Sequence, residues 1–322
     1  MSSLSNLPYG EILDYWYEKY KGQPDLWKFL MLKYIEVQAF YSIKKSKGTS
    51  KKSHKIFSYE DMYSVQIPDN PKVGIVVPVF LTSDNDIKIL KRLINRLSRQ
   101  TYQHLQIIIV NDGSVVSFPT LGDDIQIYTL TKSIGPANAR NIGKKLAVEG
   151  GVDLVCFTDS DCVPDLHWVE AFVIYFKENK TGILSGQTKS FGNSFFSKYH
   201  DMNGTLNGRI FTSGKHLLYG PTCNLVIHRD IALKYDFDVN FPLAAGEDIE
   251  FCFRVSKEGI RIHFCETAIV SHDFQYEGKS LFQKITTFRN LFKKYAKGEE
   301  LLLEKIPEFY DYFNNTTEIT RR

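Results

Sequence analysis

The chain has 322 residues, 43% of them hydrophobic and 24% charged, with a formal net charge of +3. That length allows a large core and, as a soft prior, roughly two domains. The composition excludes a disordered or collagen-like chain, and so small a net charge argues against a nucleic-acid partner.

Residues 11 to 43 read as helical, because Leu26, Phe29, Leu30, Tyr34, Val37 and Tyr41 recur at helical spacing after Pro24. KKSKGTSKKSHK, Lys44 to Lys55, then reads as a solvated basic linker or as a contact with anionic lipid. Pro68 and Pro71 punctuate the approach to a new domain. The expected organisation is an N-terminal helical extension with its linker (1–70), a catalytic domain (71–275) and a C-terminal helical extension (276–322).

From Lys72 apolar strands alternate with helices. Val73 to Phe80 (VGIVVPVF) reads as a buried strand and Asp84 to Arg99 as an amphipathic helix. LQIIIVNDGS is a second strand, Ile125 to Leu130 a third, Pro136 to Glu149 a helix, and VDLVCFT a fourth strand. Such a pattern predicts an α/β fold with a mostly parallel sheet and helices on both faces. Ligands of such sheets sit beyond the carboxyl ends of the strands, where NDGS and DSD fall. Residues 182–226 are irregular. Glu247 to Glu258 reads as a helix, IRIHFCETAIVSHD as a strand up to His272, and Ser280 to Lys297 as a helix.

The five cysteines are odd in number and lack CxxC spacing, which favours reduced thiols over disulfides or zinc. MSSLSNLPYG lacks the basic-then-apolar pattern of a secretory signal, and no apolar run approaches the length of a membrane span. A cytoplasmic protein is expected, with peripheral contact at the cytoplasmic face of a membrane left open.

The chemistry concentrates in a few acids. Asp159 and Asp161 close an apolar strand, and in an extended segment residues two apart face the same side. Two such carboxylates repel each other unless a cation lies between them, and oxygen ligands suit a hard ion such as Mg²⁺ or Mn²⁺. Asp112, before Gly113, can point into the same crevice or close a turn of its own. Arg140, in GPANARNIG, can meet an anion or lie on the surface. Glu247, Asp248 and Glu250 cluster where a helix dipole favours acids, yet a carboxylate there can also serve as a general base. His272 can ligate a metal through an imidazole nitrogen.

In order, PVF at Pro78, IIIVNDGS, GPANARNIG, FTDSDCVP, GEDIEFCFRVSKEG and SHD resemble family-2 glycosyltransferases of the GT-A fold, a Rossmann-like architecture, across residues 72 to 275. The resemblance implies an inverting, metal-dependent transfer from a nucleotide-sugar, with uridine the default base, to an acceptor hydroxyl on a glycan, lipid, peptide or small molecule. It implies that Pro78 to Phe80 line the base pocket, that Asp112 contacts base or ribose, and that Arg140 helps hold the nucleotide. Asp159, with Ser160 beside it, would lie near the ribose. Asp161 would ligate Mn²⁺ or Mg²⁺ with His272, Asp159 being a further ligand candidate. Asp248 would be the base, and Glu247 would shape the acceptor side. Tyr235-Asp236-Phe237-Asp238 stands where the family has Gly-Gly-Phe-Asp, and Ser133 where an asparagine is frequent.

Two rivals remain at this level. A sugar-phosphate nucleotidyltransferase would need a Gly-rich, Arg-containing loop after the first strand, where this chain has PVFLTSDND. A non-catalytic scaffold of the same fold would not need the acids. Lys293, Lys294 and Lys297 lie away from the aromatic face of the 280–297 helix, which suits either an interfacial helix or one packed on the catalytic domain.

Overall fold

The computed structural model describes residues 9–41, 63–208 and 216–309. The basic segment Lys44–Lys55 lies outside the described residues. Strand β1 (Val73–Val79) is central: it pairs in parallel with β2 (Leu105–Asn111) on one side and β4 (Leu154–Phe157) on the other, and β3 (Ile125–Thr129) extends β2 in parallel. Beyond β4 the sheet becomes mixed. β8 (Leu225–His228) runs antiparallel to β4 and to β6 (Ile183–Ser190), while β9 (Ile262–His272) runs parallel to β6. Two short strands, β5 (Cys162–Pro164) and β7 (His216–Leu217), pair antiparallel with β9.

The period-two alternation of β1 separates two cores. Val73, Ile75, Val77 and Val79 pack with helices α3 (Asp84–Leu97) and α5 (Trp168–Asn179). Val76 packs on the other face with α4 (Pro136–Glu149), α7 (Arg229–Lys234) and α8 (Glu247–Ser256). Helices therefore cover both faces, as expected. α4 lies unusually close to the sheet. A Cβ on Gly143 would come 2.3 Å from Val76 Cγ1 and 3.2 Å from Val110 Cγ2, so the last glycine of GPANARNIG sets that approach.

A third core joins the two ends of the chain. The predicted helix at 11–43 is two helices, α1 (Tyr9–Tyr20) and α2 (Leu26–Tyr41), broken at Gly22, whose φ of +84° favours glycine. They pack on α6 (Phe195–Asn203) and α9 (Leu281–Lys305) through Trp16, Tyr20, Phe29, Tyr199, Phe288 and Phe292. Inside this core Lys33 Nζ pairs with Glu36 at 2.7 Å, and the Tyr199 hydroxyl donates to the same carboxylate. α9 begins with a capping box between Ser280 and Gln283 and runs on past the predicted end at Lys297. No described helix is long and apolar enough to cross a membrane. All five cysteines are free and buried.

Candidate functional site

The carboxyl ends of β1, β2 and β4 open into a cavity of about 780 Å³. Pro78, Phe80, Asp112, Arg140, Asp159, Ser160, Asp161, Glu247, Asp248 and His272 all line it, whereas Glu250, the third acid of its cluster, does not and pairs with Arg254 at 2.7 Å. Phe80 lines the cavity and is 46% exposed.

Asp112 follows β2 and is buried. Its carboxylate accepts from Ser133 Oγ (2.7 Å) and from the amides of Ile134 (2.8 Å) and Gly135 (3.0 Å). It therefore holds the loop that opens α4, and Ser133 is one of its donors. Gly113 has φ +66°, and a Cβ there would strike the Lys132 backbone at 2.4 Å, which explains the glycine after the aspartate.

The Asp159–Asp161 segment is not extended. Cys162 N–H donates to Asp159 O at 3.0 Å and closes a turn. The two carboxylates take different partners as a result: Asp159 Oδ1 accepts from Arg140 Nη2 at 2.8 Å, while Asp161 Oδ1 lies 3.4 Å from His272 Nε2. Antiparallel pairing of β5 with β9 sets Cys162 opposite His272 and so delivers Asp161 to the imidazole.

Arg140 is almost wholly buried and bridges the site. Its Nη1 donates to Glu247 Oε1 at 2.7 Å while Nη2 holds Asp159. Burial opposes its charge, but Asp159 and Glu247 overcome that and hold the guanidinium above its ordinary pKa. The neighbouring Asn141 takes both backbone groups of Phe237: its Nδ2 donates to Phe237 O (2.9 Å) and its Oδ1 accepts from Phe237 N–H (2.8 Å). Arg140 and Asn141 thus tie α4 to the segment leading into α8, at the place where the Gly-Gly pair is replaced. Sequence reading missed Asn141 although it adjoins Arg140 in the motif.

Asp248 sits in the first turn of α8 after Gly246, whose φ is +95°. Burial, reinforced by Glu247 and opposed by Arg140, pushes its carboxyl up to about 7. A carboxylate poised there has the affinity a general base needs near neutral pH.

The donor set around Asp161 fits a divalent ion. Asp161, Cys162 and His272 bring one ligand atom each within 4.8 Å of one another. Asp161 Oδ1 and His272 Nδ1 are buried with no hydrogen-bond partner, a costly arrangement that a cation at the carboxylate would relieve on one side. Burial lifts the Asp161 carboxyl above its usual range; His272 opposes this, Asp159 adds to it, and Lys294 opposes it. Burial, with Cys223 and the two aspartates, holds the Cys162 thiol well above its ordinary value, so a carboxylate and an imidazole are the effective pair. Asp159 falls outside this ligand group, being engaged by Arg140.

α9 supplies a wall that local sequence did not reveal, with Thr287, Asn290, Leu291, Lys294 and Tyr295 lining the cavity. Lys293 and Lys297 are exposed, whereas Lys294 turns inward.

The family model described as Glycosyl transferase family 2 matches residues 75–236. The chain is similar to the pre-mycofactocin glycosyltransferase of Mycobacterium tuberculosis, 27% identical over 217 residues, which cover 64% of this chain and 43% of that protein. It thus spans less than half the length of that relative. It is also similar to glycosyltransferase AglE of Haloferax volcanii, 24% identical over 226 residues, covering 66% of this chain and 70% of that one. Among solved structures it is similar to S. aureus TarS 1–349 in complex with UDP, with a TM-score of 0.49, 15% identity, and coverage of 74% of this chain and 72% of that one. The helix-covered sheet, parallel from β3 to β4 and mixed beyond, is the α/β architecture expected of the GT-A fold. A match over half of the sequence, running through the elements that carry Asp112, Arg140 and the Asp159–Asp161 turn, shows that the chain belongs to glycosyl transferase family 2.

Proposed function

We propose that the protein transfers a sugar from a nucleotide-sugar, by default a UDP-sugar, to an acceptor hydroxyl in one inverting displacement. The observation that carries this is the convergence of a carboxylate poised near neutrality, Asp248, with the Asp161–His272 donor pair in one cavity.

The acceptor oxygen forms a bond to the anomeric carbon while the bond from that carbon to the diphosphate oxygen breaks. The bonding electrons leave with the nucleoside diphosphate, and the acceptor proton passes to a carboxylate oxygen of Asp248. Glu247, fixed by Arg140, shapes the acceptor side. Pro78, Phe80 and the loop held by Asp112 border the nucleotide, with Asp159 and Ser160 near the ribose. Asp161 and His272 would hold Mn²⁺ or Mg²⁺, which when bound supplies positive charge for the departing diphosphate.

The test is release of nucleoside diphosphate from a panel of nucleotide-sugars with Mn²⁺, using glycans, lipids and small hydroxylated molecules as acceptors. Activity lost with EDTA and in D161N supports the reading. Metal-independent release argues against a metal at Asp161 and His272, whereas tight nucleotide-sugar binding without turnover on any acceptor argues for the scaffold alternative.

A further inference from the structure

Lys294 is half-buried and lines the cavity, yet among the described residues no carboxylate stands within ion-pair distance of it. Its ammonium lies 5.5 Å from the centroid of the Tyr295 ring. The other charged groups of the cavity are largely committed. Asp112 holds the 133–135 loop, Arg140 spans Asp159 and Glu247, and Asp273 accepts from Arg92 at 2.7 Å. Among the described residues Lys294 is thus a cavity cation with neither an ion pair nor a side-chain hydrogen bond, in a cavity rich in acids.

Its position is fixed by packing. Gly298, one turn further along α9, lies so close to the segment before the acid motif that a Cβ on it would meet Ala245 O at 2.5 Å. Residues four apart share a helix face, so Lys294 is held one turn from that contact, and Phe292 and Ala296 are buried beside it. It lines the same cavity as Asp161 and His272. Lys279 lines the cavity too, its Nζ donating to Thr287 Oγ1 at 3.0 Å on the same helix.

We infer that α9 completes the donor site, with Lys294 a diphosphate-binding residue that contacts the leaving group. The inference rests on the nucleotide-sugar reading and deepens it. α9 lies outside the family match, which ends at residue 236. An ammonium in the same cavity as the Asp161–His272 pair opposes a second cation there until an anion arrives. A diphosphate supplies that anion and accepts hydrogen bonds from the ammonium. Lys294 therefore favours joint arrival of metal and diphosphate over metal alone.

Calorimetry with UDP, GDP and dTDP, each with Mn²⁺ and each in EDTA, tests this on wild type, K294M and K294R, alongside Mn²⁺ alone. K294M is expected to weaken the bound diphosphate roughly ten- to a hundredfold in both conditions, with UMP less affected, uridine unaffected and unfolding temperature unchanged. K294R, which keeps the charge, recovers most of the loss. Mn²⁺ alone binds K294M at least as well as wild type. Equal diphosphate affinity in wild type and K294M overturns the inference and leaves the transferase reading standing. So does a K294M defect that appears equally for uridine or for Mn²⁺ alone, which would mark a structural role. Wild type that binds none of the three diphosphates overturns both.

Discussion

His272 Nε2 lies 3.4 Å from Asp161 Oδ1, although the two residues belong to different halves of the chain. The β5–β9 ladder makes the connection: a three-residue strand after the acidic turn pairs with the last residues of the longest strand. The cavity is thereby closed by the mixed half of the sheet, while the parallel half supplies Asp112, Arg140 and Asp159.

The base assignment predicts a large loss of turnover without loss of donor binding. D248N is expected to lower kcat by about 10²–10⁴ while nucleotide-sugar affinity, measured by calorimetry, stays within a few-fold of wild type. Because the carboxyl must be ionised to accept a proton, wild-type kcat/KM rises with pH through about 7 and levels above it. Near-normal turnover in D248N removes that residue from the base role.

The same group bears on stability, with a definite sign. Its folded pKa is raised, so its stabilising effect is fully present below the unfolded value of 3.8 and is lost as pH rises through about 7. D248N escapes that loss. Urea unfolding is expected to show D248N gaining on wild type between about pH 4 and pH 7, by roughly 1–4 kcal/mol. A pH-independent difference contradicts the burial of a charged carboxylate there.

Arg140 neutralises two acids, one of them, Glu247, only 2% exposed. R140M leaves a buried carboxylate unpaired and is expected to cost about 3–5 kcal/mol at pH 8. The deficit is expected to shrink in R140M/E247Q, which removes the unpaired charge. A deficit that ignores the second substitution points instead to lost packing.

G143A forces a methyl against Val76. It is expected to destabilise by about 1–3 kcal/mol, and V76A should be less damaging in the G143A background than alone. Simple additivity of the two changes in thermal unfolding contradicts the close approach of α4 to β1.

Much of the parallel half was legible because its strands are apolar runs ending on polar turns. Pro136–Glu149 matches the helix read from sequence, and β1 and β2 fall within a residue or a few of their predicted bounds. β6 was hidden because its sequence, ILSGQTKS, carries buried polar residues and little periodicity. Neighbours make it a core strand: Asn224 Nδ2 donates to Gln187 O and Ala268 O, both at 3.0 Å, and Asn224 Oδ1 accepts from Trp168 Nε1 at 2.8 Å. No local pattern announces such a network. In the site, the acids stood out by type and position. The apolar run before Asp159 suggests that the extended chain continues, whereas the Cys162 amide closes a turn on Asp159 O. Lys294 was grouped with Lys293 and Lys297, because its inward direction comes from the docking of Gly298 on Ala245. Helical spacing alone carries no record of that contact.

The most direct test is a crystal structure of the protein soaked with Mn²⁺ and UDP, with anomalous data collected for manganese. The expected result is a single strong anomalous peak within coordination distance of Asp161 and His272, with diphosphate oxygens in its remaining positions. UDP bound in the cavity with no manganese at that pair, or manganese held elsewhere, contradicts a metal-assisted transfer at this site.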